Sequence, residues 1–223
     1  MSEGLGNRRP IKSRDTGWAR SGAAWLARRG VSPDMVSAGA VVFGFIGGVA
    51  FADAGVLHGG ARAAMLVLAA ASVQLRLICN LLDGMVAVEH GRGGPYGPIW
   101  NELPDRIADA FFLVGAGYGA ALAGAAWAEP LGWLAAVLAV LTAYIRELGR
   151  GLGQPADFSG PGAKPQRMAI LTAAALIATL EPLWGWSGQT LGAAVALVAA
   201  LAGLTAARRT RTLAARLRSR PDS

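Results

Sequence analysis

The sequence predicts an all-α fold, a polytopic membrane bundle of about six transmembrane helices preceded by an amphipathic surface helix. Three observations predict it. Hydrophobic residues make up 53% of the 223-residue chain and charged residues only 16%, with a mean hydropathy of +0.40, too apolar for a water-soluble domain of ordinary composition. The apolar residues gather in long runs at about Met35–Phe51, Ala63–Leu82, Ile107–Trp127, Leu131–Ile145, Met168–Trp184 and Leu191–Ala207. Several of these are nearer about 17 residues than the roughly 20 that cross a bilayer core comfortably. Lys and Arg are unevenly shared: the connectors 53–62, 128–130 and 185–189 hold only Arg62, whereas the opposite connectors and both ends hold nearly all the others. The positive-inside rule then puts both termini and the 80–109 segment on the cytoplasmic side, with a bacterial inner (plasma) membrane as the expected location.

Residues 1–34 form a basic segment carrying Arg8, Arg9, Lys12, Arg14, Arg20, Arg28 and Arg29, with no apolar core of a cleaved signal peptide. Its second half, with Trp18, Ala19, Ala23, Trp25 and Leu26 among arginines, is expected to lie as a helix on an anionic membrane surface. Ser32-Pro33-Asp34 supplies a helix start, Ser32 capping and Pro33 in the first turn. The span-bearing domain is expected over residues 35–207. Its Gly- and Ala-rich runs let helices approach closely, and Trp127, Trp133, Trp184 and Trp186 fall at the outer ends, where an aromatic belt belongs. A basic tail, 208–223, reads as a cytoplasmic anchor near anionic headgroups. Nothing beside it reads bases, so no nucleic-acid partner is expected. Cys79, the single cysteine, excludes a disulfide within the chain and reads as a packing residue.

Polar chemistry concentrates at 80–109, NLLDGMVAVEHGRGGPYGPIWNELPDRIAD. Asn80 and Asp83 are three apart and share a helical face. Gly84 and Ala87 follow, small residues beside which a ligand or backbone fits. After a Gly/Pro-rich turn, Asn101, Asp105 and Asp109 recur every four residues on a second helix. Two such helices bring both polar faces together at one membrane interface. The result is a cage for a hard cation, since Mg2+ takes a few carboxylates completed by water and substrate phosphates. Acids at a membrane edge are costly unless they serve a site. Their structural rival is pairing, Asp83 with Arg76 and Asp105 with Arg106. Asn80 and Asn101 read equally as weak ligands and as interhelical hydrogen-bond partners.

The spacing resembles the signature of the CDP-alcohol phosphatidyltransferases, D-x(2)-D-G-x(2)-A-R-x(8)-G-x(3)-D-x(3)-D. Here it reads Asn80, Asp83, Gly84, Ala87, Val88, Gly97, Asn101, Asp105, with every interval kept. Asn stands at the first and third Asp positions and Val88 at the Arg. The resemblance implies that Asn80, Asp83, Asn101 and Asp105 face divalent metal, Mg2+ or Mn2+, and that Gly84, Ala87 and Gly97 belong to the part holding a CDP-linked donor. It further implies that Asp105 is the general base and that the protein is a homodimer. Because Asn brings an oxygen but no charge, weaker metal binding is expected, with one ion or two left open.

The resemblance extends to AYIRELGRGLGQPADFSGPGAKPQRMA, where Arg146-Glu147 and Ala163-Lys164 stand near the family's Arg-Glu and Gly-Lys elements. Arg146, Lys164 and Arg167 are candidates to take phosphate oxygens. Their rival reading is positive-inside anchoring, with Arg146 paired to Glu147 or another carboxylate. Glu102 projects off the Asp105 stripe and reads as solvated or capping. The expected activity is transfer of a phosphatidyl group from a CDP-linked lipid donor to a small hydroxyl acceptor, releasing CMP, in phospholipid biosynthesis among membrane lipids. The alternative is a non-catalytic lipid- or nucleotide-binding protein of the same fold.

Overall fold

In this computed structural model the described residues are 16–89 and 96–219, without the side chains of Glu89 and Asn101. The basic residues before Thr16, and His90 and Arg92 of the Gly/Pro-rich turn, lie outside them. The order is α1 (Gly17–Arg28), α2 (Pro33–Asp53), α3 (Gly59–Glu89), α4 (Gly97–Leu122), α5 (Ala128–Gly151), α6 (Lys164–Ala178), a 3-10 turn (Glu181–Trp184) and α7 (Gln189–Arg218). Four helices, α2, α3, α5 and α7, are long and apolar enough to cross a membrane. The other two core helices fall short for visible reasons. Five polar side chains stand in the first half of α4, and the 15 residues of α6 reach only about 22 Å at 1.5 Å each.

The apolar runs and the helices differ at two ends. Ile107–Trp127 is not one helix: α4 stops at Leu122, and Gly124 turns the chain at φ +120°, a conformation that side chains with a Cβ avoid. Met168–Trp184 likewise breaks after Ala178. There the wholly buried Glu181 accepts from Gly188 N at 3.0 Å and Thr190 N at 2.7 Å, and pairs with Arg62 Nη2 at 2.5 Å. The one cation of the sparsely charged connectors is therefore spent pinning the α6–α7 turn to the start of α3.

Small residues set the packing of α4. A Cβ on Gly115 would stand 2.2 Å from Gly48 O, and one on Gly119 only 1.9 Å from Phe51 O, both on α2. On its other side Gly117 faces Gly132 of α5, a Cβ there meeting Cα at 2.8 Å. These contacts bring backbones together as small residues do in membrane bundles. Between them Phe51, Leu66, Phe112, Leu113, Leu171 and Val195 form one buried core.

The amphipathic helix is present as α1, but its apolar residues divide between two faces. Ala19 and Ala23 pack against Leu81, Met85 and Val86 of α3, while Trp18 and Trp25 remain about half exposed, at 53% and 51%. The cap at α2 is as read, with Ser32 Oγ accepting from Met35 N at 3.2 Å. The basic tail continues α7 to Arg218 because RRTRTLAARLR holds good helix formers and neither Gly nor Pro. It also reaches the α5–α6 loop: Arg209 donates to Thr142 O at 2.7 Å and Ser159 O at 2.9 Å.

Candidate functional site

At the end of the bundle where α3 finishes and α4 and α6 begin, side chains from four helices converge. Helical spacing puts Arg76, Asn80 and Asp83 on successive turns of α3 and Asp105 and Asp109 on successive turns of α4. Lys164 and Arg167 open α6, and Ser37 comes from the start of α2. The deepest layer is an ion-pair chain. Arg76 Nη2 donates to Asp105 O at 3.0 Å, lies 3.2 Å from Asp105 Oδ1 and pairs with Asp109 Oδ1. The other oxygen of Asp109 accepts from Arg167 Nη2 at 2.6 Å, and Arg167 Nη1 donates to Gly162 O at 2.6 Å. Arg76, Asp109 and Arg167 are 0%, 1% and 1% exposed, so each charge depends on the others for compensation.

Above this layer stands Asp105. Asn80 Nδ2 donates to its Oδ1 and Lys164 Nζ to its Oδ2, with Arg106 Nη2 3.6 Å from the latter. Asp83 takes a different donor, Ser37 Oγ at 2.6 Å from Oδ2, and lies near enough to Asp105 and Lys164 to feel their charges. Gly84 and Ala87 continue α3 beyond Asp83, both half-buried. Gly97 opens α4, and a Cβ there would meet nothing within 4 Å. Asn101 is on α4 by its backbone, and its side chain lies outside the described residues.

Arg146 is brought to the neighbourhood but not onto Asp105. It pairs with Glu102 and with Glu147 at 2.8 Å, under the ring of Phe158 at 5.2 Å. Glu102 is therefore an ion-pair partner of Arg146 and of Arg106, at 3.2 Å, where its position off the stripe reads as solvated or capping. Arg167 lies in the buried layer, its Nη1 and Nη2 engaged by protein oxygens. Two contributors escape a reading of the sequence: Ser37, an unremarked serine one turn into α2, and Arg209, one of several arginines in the tail. The loop that Arg209 holds contains Asp157. Burial pushes its carboxyl up, but donors from Ser159 Oγ at 2.6 Å and Ser159 N at 2.8 Å, with the charges of Arg209 and Arg216, outweigh this and hold it below the usual carboxylate range.

The donor set decides what cation the site fits. Among the described residues no three His, Cys, Asp or Glu side chains converge on a metal position. Asp109 is committed to two arginines, which leaves the carboxylates of Asp83 and Asp105 and the carboxamide oxygen of Asn80. Three such groups, two carboxylates and a carboxamide, suit a hard divalent ion completed by water and phosphate oxygens.

No protein-family model matches the chain. Among solved structures, the manganese and citrate complex of the phosphatidylinositol phosphate synthase of Mycobacterium tuberculosis superposes with a TM-score of 0.73 over 87% of this chain and 88% of that one, at 22% identity. This chain has that fold. The same synthase with CDP-DAG bound gives a TM-score of 0.70, 23% identity and coverage of 87% and 92%. In sequence, the phosphatidylinositol phosphate synthase of Mycobacteroides abscessus is 27% identical over 164 residues. That match takes in 69% of this chain and 66% of the relative, so the chain spans just under two thirds of the length of the curated relative it matches.

Proposed function

We propose that this protein is a membrane transferase of the CDP-alcohol phosphatidyltransferase type, moving a phosphatidyl group from a CDP-linked lipid to a hydroxyl acceptor with release of CMP. The observation that carries the reading is the convergence of Asn80, Asp83, Asp105 and Lys164 at one end of the bundle, in the fold of a synthase solved with CDP-DAG bound. Helices α2–α7 make six crossings, with both termini at the cytoplasmic face of a bacterial inner membrane, and the working unit is a homodimer. The donor's acyl chains lie along the apolar flanks and its diphosphate at the polar end, beside Gly84, Ala87 and Gly97.

In the reaction the acceptor oxygen attacks the lipid-side phosphorus, the bond from that phosphorus to the bridging oxygen breaks, and CMP leaves with that oxygen. Asp105 accepts the hydroxyl proton as general base. Lys164 leaves Asp105 for the diphosphate, where its ammonium binds as a point charge. The buried pairs of Arg76 and Arg167 with Asp109 fix the backbone turn carrying Asp105, so the base is held in place before substrate arrives. Asn80, Asp83 and Asp105 would hold a divalent ion, Mg2+ or Mn2+, with Asn101 as a further oxygen; bound there it neutralises the diphosphate and stabilises the leaving CMP. With Lys164 on the diphosphate, Arg146 favours a phosphorylated acceptor, in keeping with the name of the relatives.

The test is CMP release by the purified protein in detergent with CDP-diacylglycerol, Mg2+ or Mn2+ and a panel of alcohols and alcohol phosphates. Acceptor-dependent CMP that falls at least about 100-fold in Asp105→Asn supports the reading. The carboxamides at 80 and 101 favour one second reading, a non-catalytic binder of CDP-lipid. Its mark is the absence of CMP with every acceptor while CDP-diacylglycerol still raises the unfolding temperature.

A further inference from the structure

The polar end is already electrically closed without any added ion. Its three carboxylates, Asp83, Asp105 and Asp109, face three protein cations in contact with them or adjoining: Arg76, Arg167 and Lys164. Arg106 adds a share of charge at 3.6 Å from Asp105 but is also paired to Glu102. Two of these cations cannot leave, because Arg76 and Arg167 are 0% and 1% exposed and buried among α3, α4 and α6. Lys164 can. Its side chain is 24% exposed, it stands on the first turn of α6 before the exposed Pro165 and Gln166, and a four-carbon stem lets its ammonium swing. It sits on Oδ2 of Asp105, one of the few oxygens left to coordinate a hard ion. A divalent cation arriving alone would add two positive charges to a balanced cluster at low dielectric, where like charges repel strongly.

We propose that the Lys164 ammonium is the built-in counter-cation of this cage, competing directly with a divalent ion for Asp105 and leaving only when an anionic diphosphate draws it away. The proposal rests on the reading of Asn80, Asp83 and Asp105 as the ion-holding group. It makes ion entry and diphosphate entry one coupled event: the free protein binds metal weakly, and the diphosphate both removes the competitor and supplies further oxygens. The carboxamide at 80 fits this arrangement, since Asn80 tethers Asp105 through Nδ2 without adding the negative charge that would favour an ion over the lysine.

The experiment measures Mn2+ binding to the full-length protein in detergent, without nucleotide or lipid, from the loss of the free Mn2+ paramagnetic resonance signal. Wild type is compared with Lys164→Met, Lys164→Gln and Lys164→Arg, each first checked for a cooperative thermal transition. Lys164→Met is expected to bind Mn2+ at least about tenfold more tightly than wild type, and Lys164→Arg, which keeps the charge, within about threefold of it. Adding cytidine diphosphate should tighten binding to wild type more than to Lys164→Met, narrowing the gap. If Lys164→Met fails to fold, Lys164→Gln carries the same expectation. Mn2+ affinity unchanged or weakened on neutralising Lys164 would overturn the proposal. The readout needs no turnover, so competition can be found in a chain that releases no CMP, and a working transferase can be found without competition.

Discussion

Arg76 meets two carboxylates and a backbone carbonyl of α4 with a single nitrogen, Nη2, while its Nε and Nη1 find no partner among the described residues. Such a group is held in place by charge compensation more than by satisfied donors, and removing it leaves the buried Asp109 with Arg167 alone, one cation fewer in the buried chain. Arg76→Met is therefore expected to lower stability by about 3–5 kcal/mol, the usual consequence of leaving a buried charge uncompensated. Arg106→Met, whose side chain is 16% exposed and whose pairs are at 3.2 and 3.6 Å, is expected to cost about 1 kcal/mol or less. Thermal unfolding in detergent separates the two, and equal losses would show that the buried chain of ion pairs carries no special share. At this scale the sequence was informative about which residues gather and less so about how they pair. Spacing on α3 and α4 put Asn80, Asp83, Asp105 and Asp109 on inward stripes, and the structure brings Asp105 to Asn80 and Lys164. The structural rivals joined Asp83 to Arg76 and Asp105 to Arg106. The second pair is present at 3.6 Å, but Ser37 serves Asp83, and Arg76 reaches across to Asp105 and Asp109 of α4. Periodicity fixes which side chains share a helix face, but which residue of a neighbouring helix meets that face depends on axial offset, and no single segment records it.

The axial offset between α2 and α4 is itself fixed by backbone contact. Gly48 meets Gly115, Phe51 meets Gly119, and Gly44 lies against Ala108, where a Cβ would stand 2.7 Å from Cα. Ala108 is the residue before Asp109, so the contact that sets helix spacing also sets the depth of the ion-pair chain. Gly119→Ala places a methyl 1.9 Å from a carbonyl oxygen that belongs to helix backbone and cannot move aside as a side chain would. It is expected to lower stability by about 1–3 kcal/mol. Gly22→Ala meets only Leu82 Cδ2 at 3.4 Å, an ordinary contact, and is expected to leave stability unchanged or raise it slightly through helix propensity. Unfolding temperatures check the pair; an undiminished value for Gly119→Ala would mean that α2 and α4 separate without penalty. The sequence announced small residues in abundance but not which of them matter. On α2 most are buried while side chains such as Val42, Phe45, Ile46 and Val49 face outward, and which glycine meets a facing backbone depends on the axial offset of its neighbour. Helix ends were misjudged for a related reason. The apolar residues run on through 123–127 and resume at Leu183-Trp184, whereas Gly124 ends α4, and Glu181 with its hydrogen bonds and Pro182 close the end of α6.

The whole molecule has two unlike ends. One gathers Asp83, Asp105, Lys164, Arg146 and the α5–α6 loop, with α1 packed beside it and the arginines of α7 above. The other holds the Arg62–Glu181 pair, buried, among turns that carry exposed Trp127, Trp184 and Trp186. Arg62 does not count against the asymmetry, since its charge is neutralised inside the protein, and the positive-inside bias is then stronger than the sequence alone implied. The proposed six crossings put residues 17 and 219 on the same side and the α6–α7 turn on the other. In a Cys79→Ala background, which removes the one native thiol, single cysteines at Ser187→Cys and Ser219→Cys occupy exposed positions at opposite ends. A membrane-impermeant maleimide added to intact cells stripped of their outer membrane is expected to label the first and not the second, which should react only after the membrane is opened. Labelling of both from outside would break the two-sided arrangement, and labelling of the second alone would invert it. Inversion would also carry a chemical consequence: the polar end would then face away from the cytoplasm, where cytidine nucleotides are made, and a CDP-linked donor would have no supply at the site.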